Sequence, residues 1–376
     1  MKYKLSDICT FTDERIAVTD LDLDNYISTE NMLQNKEGVI RSAGLPTVNQ
    51  IQAYQPGDVL ISNIRPYFKK IWYADRSGGC SNDVLVLRPK ENTYPGFLYY
   101  LLSDNAFFNY ATATAKGTKM PRGDKDAIMK YEVPNLPICI QIKIADILSA
   151  LDAQISNNKA INNHLEQIAQ AIFKKEFVSL SSLPIGWQQA SLIDIADYLN
   201  GLAMQKYRPT DDERGIPVLK IKELRQGGCD NNSELCSPNI KSEYIIQNGD
   251  VIFSWSGSLL IDFWCDGICG LNQHLFKVSS KKYDKWFYYA WIKHYLNHFI
   301  AVAADKATTM GHIKRDELIK TEVFIPTEED YNRIGSLLNP IYDLIISNRI
   351  ENNQLAKTRN SLLPRLISGE LDISEI

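Results

Sequence analysis

The sequence contains no run of 18 apolar residues, so no transmembrane helix is expected. Its opening, MKYKLSDICTFTDERIAV, lacks the continuous apolar stretch of a secretory signal. Cysteine is sparse and odd in number: seven among 376 residues, spread over both halves. That usage fits a reducing cytoplasm rather than a disulfide framework. Catalytic signatures are missing as well. There is no Gly-Lys dipeptide for a P-loop, no Gly-x-Gly for a cofactor loop and no Glu-x-Lys for a common nuclease metal site. No Asn-Pro-Pro or Asp-Pro-Pro followed by an aromatic offers to hold a flipped adenine. Positive charge is not in excess either. A net charge of −4 argues against coating nucleic acid non-specifically, while leaving room for a reader with local basic loops.

What the chain does have is a second copy of itself. KGTKMPRGDKDAIMKYEV (Lys116–Val133) aligns without gaps on KATTMGHIKRDELIKTEV (Lys306–Val323), with seven of 18 positions identical. The same offset of 190 superposes Ile144 on Ile334, Leu148 on Leu338, Asn158 on Asn348 and Leu165 on Leu355. Upstream, PGDVLIS (Pro56–Ser62) resembles NGDVIFS (Asn248–Ser254) at an offset of 192, and LSDI (Leu5–Ile8) matches LIDI (Leu192–Ile195) at 187. Drifting offsets are the mark of loop insertions in a duplicated unit. Two copies of this length mean paired domains rather than a solenoid.

Four segments follow, with boundaries at 1–137, 138–178, 183–326 and 327–369. The first and third are mixed α+β. Strand-like runs such as DVLISNI, NDVLVLRP, IPVLKIKEL and DVIFSW are separated by Gly, Pro and Asn turns. Aromatic helices follow near Gly96–Tyr110 and Trp286–Phe299. The second and fourth segments read as long helices. Ile144, Leu148, Leu151, Ile155, Asn158, Asn162, Leu165, Ala169 and Ile172 step by alternating fours and threes, the seam of a coiled coil. The matching seam is Ile334, Leu338, Ile341, Ile345, Asn348, Asn352, Leu355, Arg359 and Leu362. Gly335 and Pro340 weaken its first turns, and Pro364 is expected to kink or end it early. The predicted fold is therefore α+β: two tandem domains joined by two long helices in an antiparallel coiled coil, related by a pseudo-twofold internal repeat. In that arrangement the central asparagines meet, Asn158 near Asn352 and Asn162 near Asn348, and fix the helix-pair register.

This layout resembles the specificity subunits of type I restriction–modification enzymes. The string VPNLPICIQIKIADILSALDAQISNNKAINNHLEQIAQAIFKKEF (Val133–Phe177) carries the family pattern. YISTENML, GDVLISNIRPYFKKIWYA and GCSNDVLVL are similar to one subgroup of its target-recognition domains. The second helix departs from the pattern, since YNRIGSLLNPIYDLI replaces the usual Gln-x-x-Ile-Ala opening. The resemblance implies a non-catalytic chain whose two domains each read one half of a bipartite, asymmetric sequence in double-stranded DNA. It further implies two DNA-methyltransferase subunits that bind S-adenosylmethionine, and restriction subunits that use ATP and Mg. No cofactor and no metal would belong to this chain. Two other readings stand beside it: a specificity subunit serving a fused restriction–methylation enzyme, and a scaffold for two protein partners that never touches DNA.

Base readout needs side chains that reach base edges, flanked by cations that hold phosphates. SNIRPYFKK offers Asn63, Arg65, Tyr67, Lys69 and Lys70, and KGTKMPRGDK offers Lys116, Thr118, Lys119 and Arg122. The second copy offers Trp255 and Ser256 in SWSGS, and Lys306, Thr308, His312 and Lys314 in its later loop; Asn272, Gln273 and His274 are weaker candidates. The first loops differ between the copies, so the half-sites should differ. Cys229, Cys236, Cys265 and Cys269 lack zinc-site spacing, and His294 and His298 read as ordinary helix residues.

Overall fold

The computed structural model describes residues 2–305, 313, 315–371 and 373. Contacts gather the chain into two compact units, one of Met1–Ala153 with Lys357–Ile376 and one of Gln154–Ala356. The central helix, Ile138–Phe173, and the C-terminal helix, Glu328–Ser368, each contribute to both units. At about 1.5 Å per residue these helices span roughly 55 and 60 Å.

Within the first unit the strand Val84–Pro89 shows how the sequence builds a layered core. Its residues alternate faces, as strand geometry requires. Leu85 and Leu87 join Val59, Ile61 and the aromatic helices in one cluster, while Val84 and Val86 join Leu60 and Trp72 in another. Both faces are buried, so the strand reads as a continuous apolar run. The sheet order is Cys9–Phe11, Val84–Pro89, Val59–Ser62, Ile71–Tyr73, all antiparallel. The second unit repeats it as Asp197–Asn200, Leu275–Ser279, Val251–Ser254, Leu260–Phe263. Registers agree residue for residue. Phe11 and Val59 flank Leu87, as Tyr198 and Val251 flank Val278. The turn before the third strand recurs too. Gly57 (φ +90°) and Gly249 (φ +83°) take left-handed backbone, and Asp58 and Asp250 each accept a hydrogen bond from the backbone three residues earlier at 2.9 and 2.8 Å.

A second four-stranded sheet in each unit is where the copies diverge. Gly78–Cys80 and Cys269–Leu271 each lie between one parallel and one antiparallel neighbour. The first unit then adds Arg15–Ala17 beside its antiparallel neighbour, whereas the second adds Leu235–Cys236 beside its parallel one. Gly78 is demanded by this crowding: a Cβ there would stand 2.1 Å from the Asn25 carbonyl.

The helices pair antiparallel. Asn158 Nδ2 donates to Asn352 Oδ1 at 3.1 Å and Asn348 Nδ2 donates to Asn162 Oδ1 at 2.9 Å, so one index rises as the other falls. In the first unit Arg359 pairs with Asp152, extending the same order. Three expectations need correction. Pro364 does not end the C-terminal helix, which runs on to Ser368. Leu363 and Leu366 are buried in the first unit's core, and at roughly 1.5–3 kcal/mol each that burial offsets the ~3 kcal/mol cost of an interior proline. IPVLKIKEL is strand only over Ile216–Leu219. It then turns into the helix Ile221–Gln226, because Glu223 accepts from the Lys220 N–H (3.3 Å) and Gly227 stops it at φ +74°. The aromatic stretch near Gly96–Tyr110 is two helices, Pro95–Ser103 and Asn105–Ala113. Asp104 parts them and caps the second through Ala106 N at 3.1 Å.

Candidate nucleic-acid interface

The two loops singled out in the first copy fold against each other. Asn63 lies just beyond the strand Val59–Ser62, and its carbonyl accepts from Gly123 N at 3.0 Å. Arg65 N donates to the Pro121 carbonyl at 2.8 Å. Lys116 and Arg122 exchange backbone hydrogen bonds at 2.8 and 2.9 Å, closing the second loop on itself. Residues more than 50 positions apart in sequence thus form one surface.

The loop from Arg65 to Lys70 is wound tightly. Arg65 (φ 51°, ψ 65°) and Lys69 (φ 52°, ψ 45°) both take left-handed backbone on either side of the short turn Pro66–Phe68. Non-glycine residues held there cost on the order of 1 kcal/mol each and gather at functional sites. The strain has a visible result. The Arg65 guanidinium lies 5.9 Å from the Phe68 ring, and Tyr67 stands 47% exposed. Arg65 Nε and Asn63 Oδ1 are buried without hydrogen-bond partners among the described residues.

The remaining candidates divide by partner. Lys70 Nζ donates to the Thr29 carbonyl at 2.5 Å, and burial lowers its pKa. Lys69 Nζ donates to Asn105 Oδ1 at 2.9 Å, an oxygen shared with Lys36 Nζ at 3.3 Å. Lys36 is pushed down to about 8, by desolvation first and then by the Lys69 charge. Lys116 pairs with Asp124 at 2.6 Å, which raises the lysine and lowers the carboxylate. Arg122 pairs with Asp83 at 3.0 Å. Thr118 and Lys119 are exposed at the tip. Asp83, Asn105 and Asp124 were not singled out from the sequence. Asp124 alone had a local signal there, as an Asp three residues before Ala127 at a helix start; its side chain caps that helix.

In the second copy the frame is the same and the side chains are not. Ile313 N donates to the Trp255 carbonyl at 2.9 Å, the counterpart of Gly123 to Asn63. Ser254 Oγ donates to the Ser256 carbonyl at 3.2 Å, as Ser62 Oγ does to Ile64 at 3.0 Å. Trp255 is half-buried, donating to Asn200 Oδ1 at 3.1 Å and stacking on Phe276 at 5.7 Å. Ser256 is 6% exposed, with its hydroxyl 3.1 Å from His274 Nδ1, and Asn272 is also buried. Lys306, Thr308, His312 and Lys314 lie outside the described residues. No cluster of His, Cys, Asp or Glu suited to a metal occurs among the described residues, and none of their helices is long and apolar enough to cross a membrane.

Comparison with known proteins decides what this twice-used frame is. The model of the type I restriction modification DNA specificity domain matches twice, over residues 1–167 and 184–357. The chain belongs to that family. DNA specificity in a type I restriction–modification system is therefore its function. Its relatives include the MjaIX specificity subunit of Methanocaldococcus jannaschii, 26% identical over 77% of this chain and 72% of the relative. The HindI specificity subunit of Haemophilus influenzae is 22% identical over 98% and 99% of the two chains. The fold is shared with the S subunit of a type I system from M. genitalium, at a TM-score of 0.61 and 14% identity, over 100% of this chain and 96% of that one. Both DNA specificity domains contain the latch between their loops, and each extends along a long helix.

Proposed function

We propose that this chain is the non-catalytic, target-reading subunit of its complex, and that each DNA specificity domain reads one half of a bipartite, asymmetric sequence. The observation that carries this is the latch common to both copies, at 3.0 Å between Gly123 and Asn63 and at 2.9 Å between Ile313 and Trp255, holding unlike side chains. A common frame fixes where the reading loop stands; Asn63, Arg65 and Tyr67 in one copy against Trp255, Gly257 and Leu259 in the other fix what it reads. Arginine bridges guanine bidentately, which neither tryptophan nor glycine does. In the first copy Asn63, Arg65, Tyr67, Thr118 and Lys119 face DNA, while Lys69, Lys70, Lys116 and Arg122 shape the loops and lend charge.

The helix pair sets the gap between half-sites, with Asn158, Asn162, Asn348 and Asn352 holding its register. Two DNA-methyltransferase subunits bring S-adenosylmethionine to the bound DNA, and restriction subunits bring ATP and Mg; this chain supplies address, not chemistry. The proteins work in the cytoplasm, where the host DNA is. Co-expression with the neighbouring genes, followed by methylome sequencing, tests the reading. A methylated bipartite motif present only with this chain is expected; methylation that is unchanged by its deletion overturns it.

A further inference from the structure

Beside the latched loops of the first unit lies an open cleft of about 260 Å³, bordered by Phe11, Asp13, Arg15, Gln52, Asn82 and Lys125. Its position follows from the fold. Asn82 precedes Asp83, whose carbonyl accepts from Asn63 N at 2.8 Å, and Lys125 follows Asp124, the partner of Lys116. Arg15 stands on the edge strand Arg15–Ala17, the strand for which the second unit has no equivalent position. The cleft therefore continues the candidate surface and belongs to the divergent part of the domain.

The chemistry of the walls is unsatisfied. Arg15, Asn82, Asp13 and Lys125 are exposed. The side chains of Arg15, Asp13 and Asn82 have no hydrogen-bond or ion-pair partner among the described residues. Lys125 Nζ lies over the face of Phe11, at 5.6 Å from the ring centre. Gln52 is held by its amide nitrogen, which donates to the Thr12 carbonyl at 2.8 Å. By contrast Arg88 in the same unit is matched, by Asp58 and Glu14 at 2.8 and 2.7 Å. Two cations and the Asn82 amide line one cleft with a single carboxylate, Asp13, among them, a site for a ligand with both negative charge and polar edges. In the second unit two counterparts of the wall residues are engaged. Asn200, the counterpart of Asp13, accepts from the Trp255 indole at 3.1 Å, and Tyr198, the counterpart of Phe11, packs edge-on against Phe276 at 5.9 Å.

We infer that this cleft is a second base-reading subsite of the first domain. Arg15 and Asn82 take the edges of one or two base pairs beyond those met by Arg65, and Lys125 takes the adjoining phosphate. The inference rests on the DNA-reading function proposed above and assigns to it Arg15 and Asn82, which lie outside both loop motifs, and Lys125, the last residue of the second. It also makes the two domains read differently here, since the counterparts of Asp13 and Phe11 in the second are engaged with Trp255 and Phe276.

The test uses the intact complex of this chain with its methyltransferase subunits, selecting from a pool of duplexes randomised across the target. Asn82→Ala and Arg15→Ala should each relax preference at one or two neighbouring base pairs of a single half-site, by roughly ten- to hundredfold. Lys125→Gln should weaken all sequences alike and reduce the salt slope by about one. Among the described residues the Arg15 and Asn82 side chains have no hydrogen-bond or ion-pair partner to lose, and melting curves matching wild type confirm folding; Arg15→Lys, which keeps charge but loses the fork, should relax the same position as Arg15→Ala. Selection of an unchanged motif by all the variants, or equal relaxation in both half-sites, overturns the subsite. A wild-type complex that selects no motif overturns instead the DNA-reading function on which it rests.

Discussion

Asn348 donates its side-chain amide to Asn162 Oδ1 at 2.9 Å inside the helix pair, while Asn162 donates in turn to the Ile345 carbonyl at 3.2 Å. Both asparagines are less than 9% exposed, so each is the other's replacement for water. Asn162→Leu leaves Asn348 unsatisfied and should cost about 1–3 kcal/mol. Adding Asn348→Leu should recover most of that loss, because removing both partners removes the desolvation cost along with the bond. A double-mutant cycle by urea unfolding measures the coupling; strictly additive losses would show that the pair does not act together.

Arg349 joins the C-terminal helix to two other elements of the second unit. It meets Glu166 of the central helix at 2.7 Å and Asp262 of the strand Leu260–Phe263, with all three side chains about a quarter exposed. Arg349→Met keeps much of the stem's packing but strands two carboxylates, so a loss of roughly 1–3 kcal/mol is expected, between the values for exposed and buried pairs. Thermal melting should show it, and adding Asp262→Asn should lessen it. A variant as stable as wild type would place the pair among the energetically silent ones.

Lys36 gives the fold a pH dependence of definite sign. Desolvation and the neighbouring Lys69 hold it near 8, below its ordinary 10.5. The unfolded chain therefore binds more protons between those values, and stability rises with pH across that window. Below about 8 the full penalty applies. Lys36→Met should stabilise the protein by up to about 2 kcal/mol at pH 7 and by progressively less towards pH 10.5. Urea unfolding of both proteins at pH 7 and pH 10 checks this; a constant difference would refute it.

The repeat, the helix seam and the asparagine positions were legible because each rests on local spacing: identical offsets, steps of three and four, a polar residue where an apolar one is due. The loops SNIRPYFKK and KGTKMPRGDK were legible as basic and polar, but not as one surface, since the bonds from Gly123 to Asn63 and Arg65 to Pro121 join residues far apart in sequence. The same reason hid Asp83 and Asn105, whose roles exist only once an arginine or lysine arrives from elsewhere. IPVLKIKEL read as one strand because its apolar alternation persists into the helix, and only the Glu223 bond to Lys220 N breaks it. Pro364 misled through a local rule outweighed by the burial of Leu363 and Leu366.

Arg65 offers a direct probe of modular reading. Arg65→Ala removes a guanidinium whose Nε has no hydrogen-bond partner among the described residues, so little stability should be lost with it. Specificity at one base pair of one half-site should fall by about 1–3 kcal/mol, with the other half-site untouched. Duplex selection or methylome sequencing reads both halves at once. Equal relaxation of both would contradict independent domains.

The central claim is that two unlike readers stand on one antiparallel helix pair, and a chimera tests it most directly. Residues 183–326 are replaced by a second copy of residues 1–137, with both helices left intact, and the methylome is sequenced in a host that also supplies the methyltransferase subunits. The expected motif is the first half-sequence twice, in inverted orientation, across an unchanged spacer. A motif that keeps the original second half, or loses its bipartite form while the chimera still folds, would contradict the account.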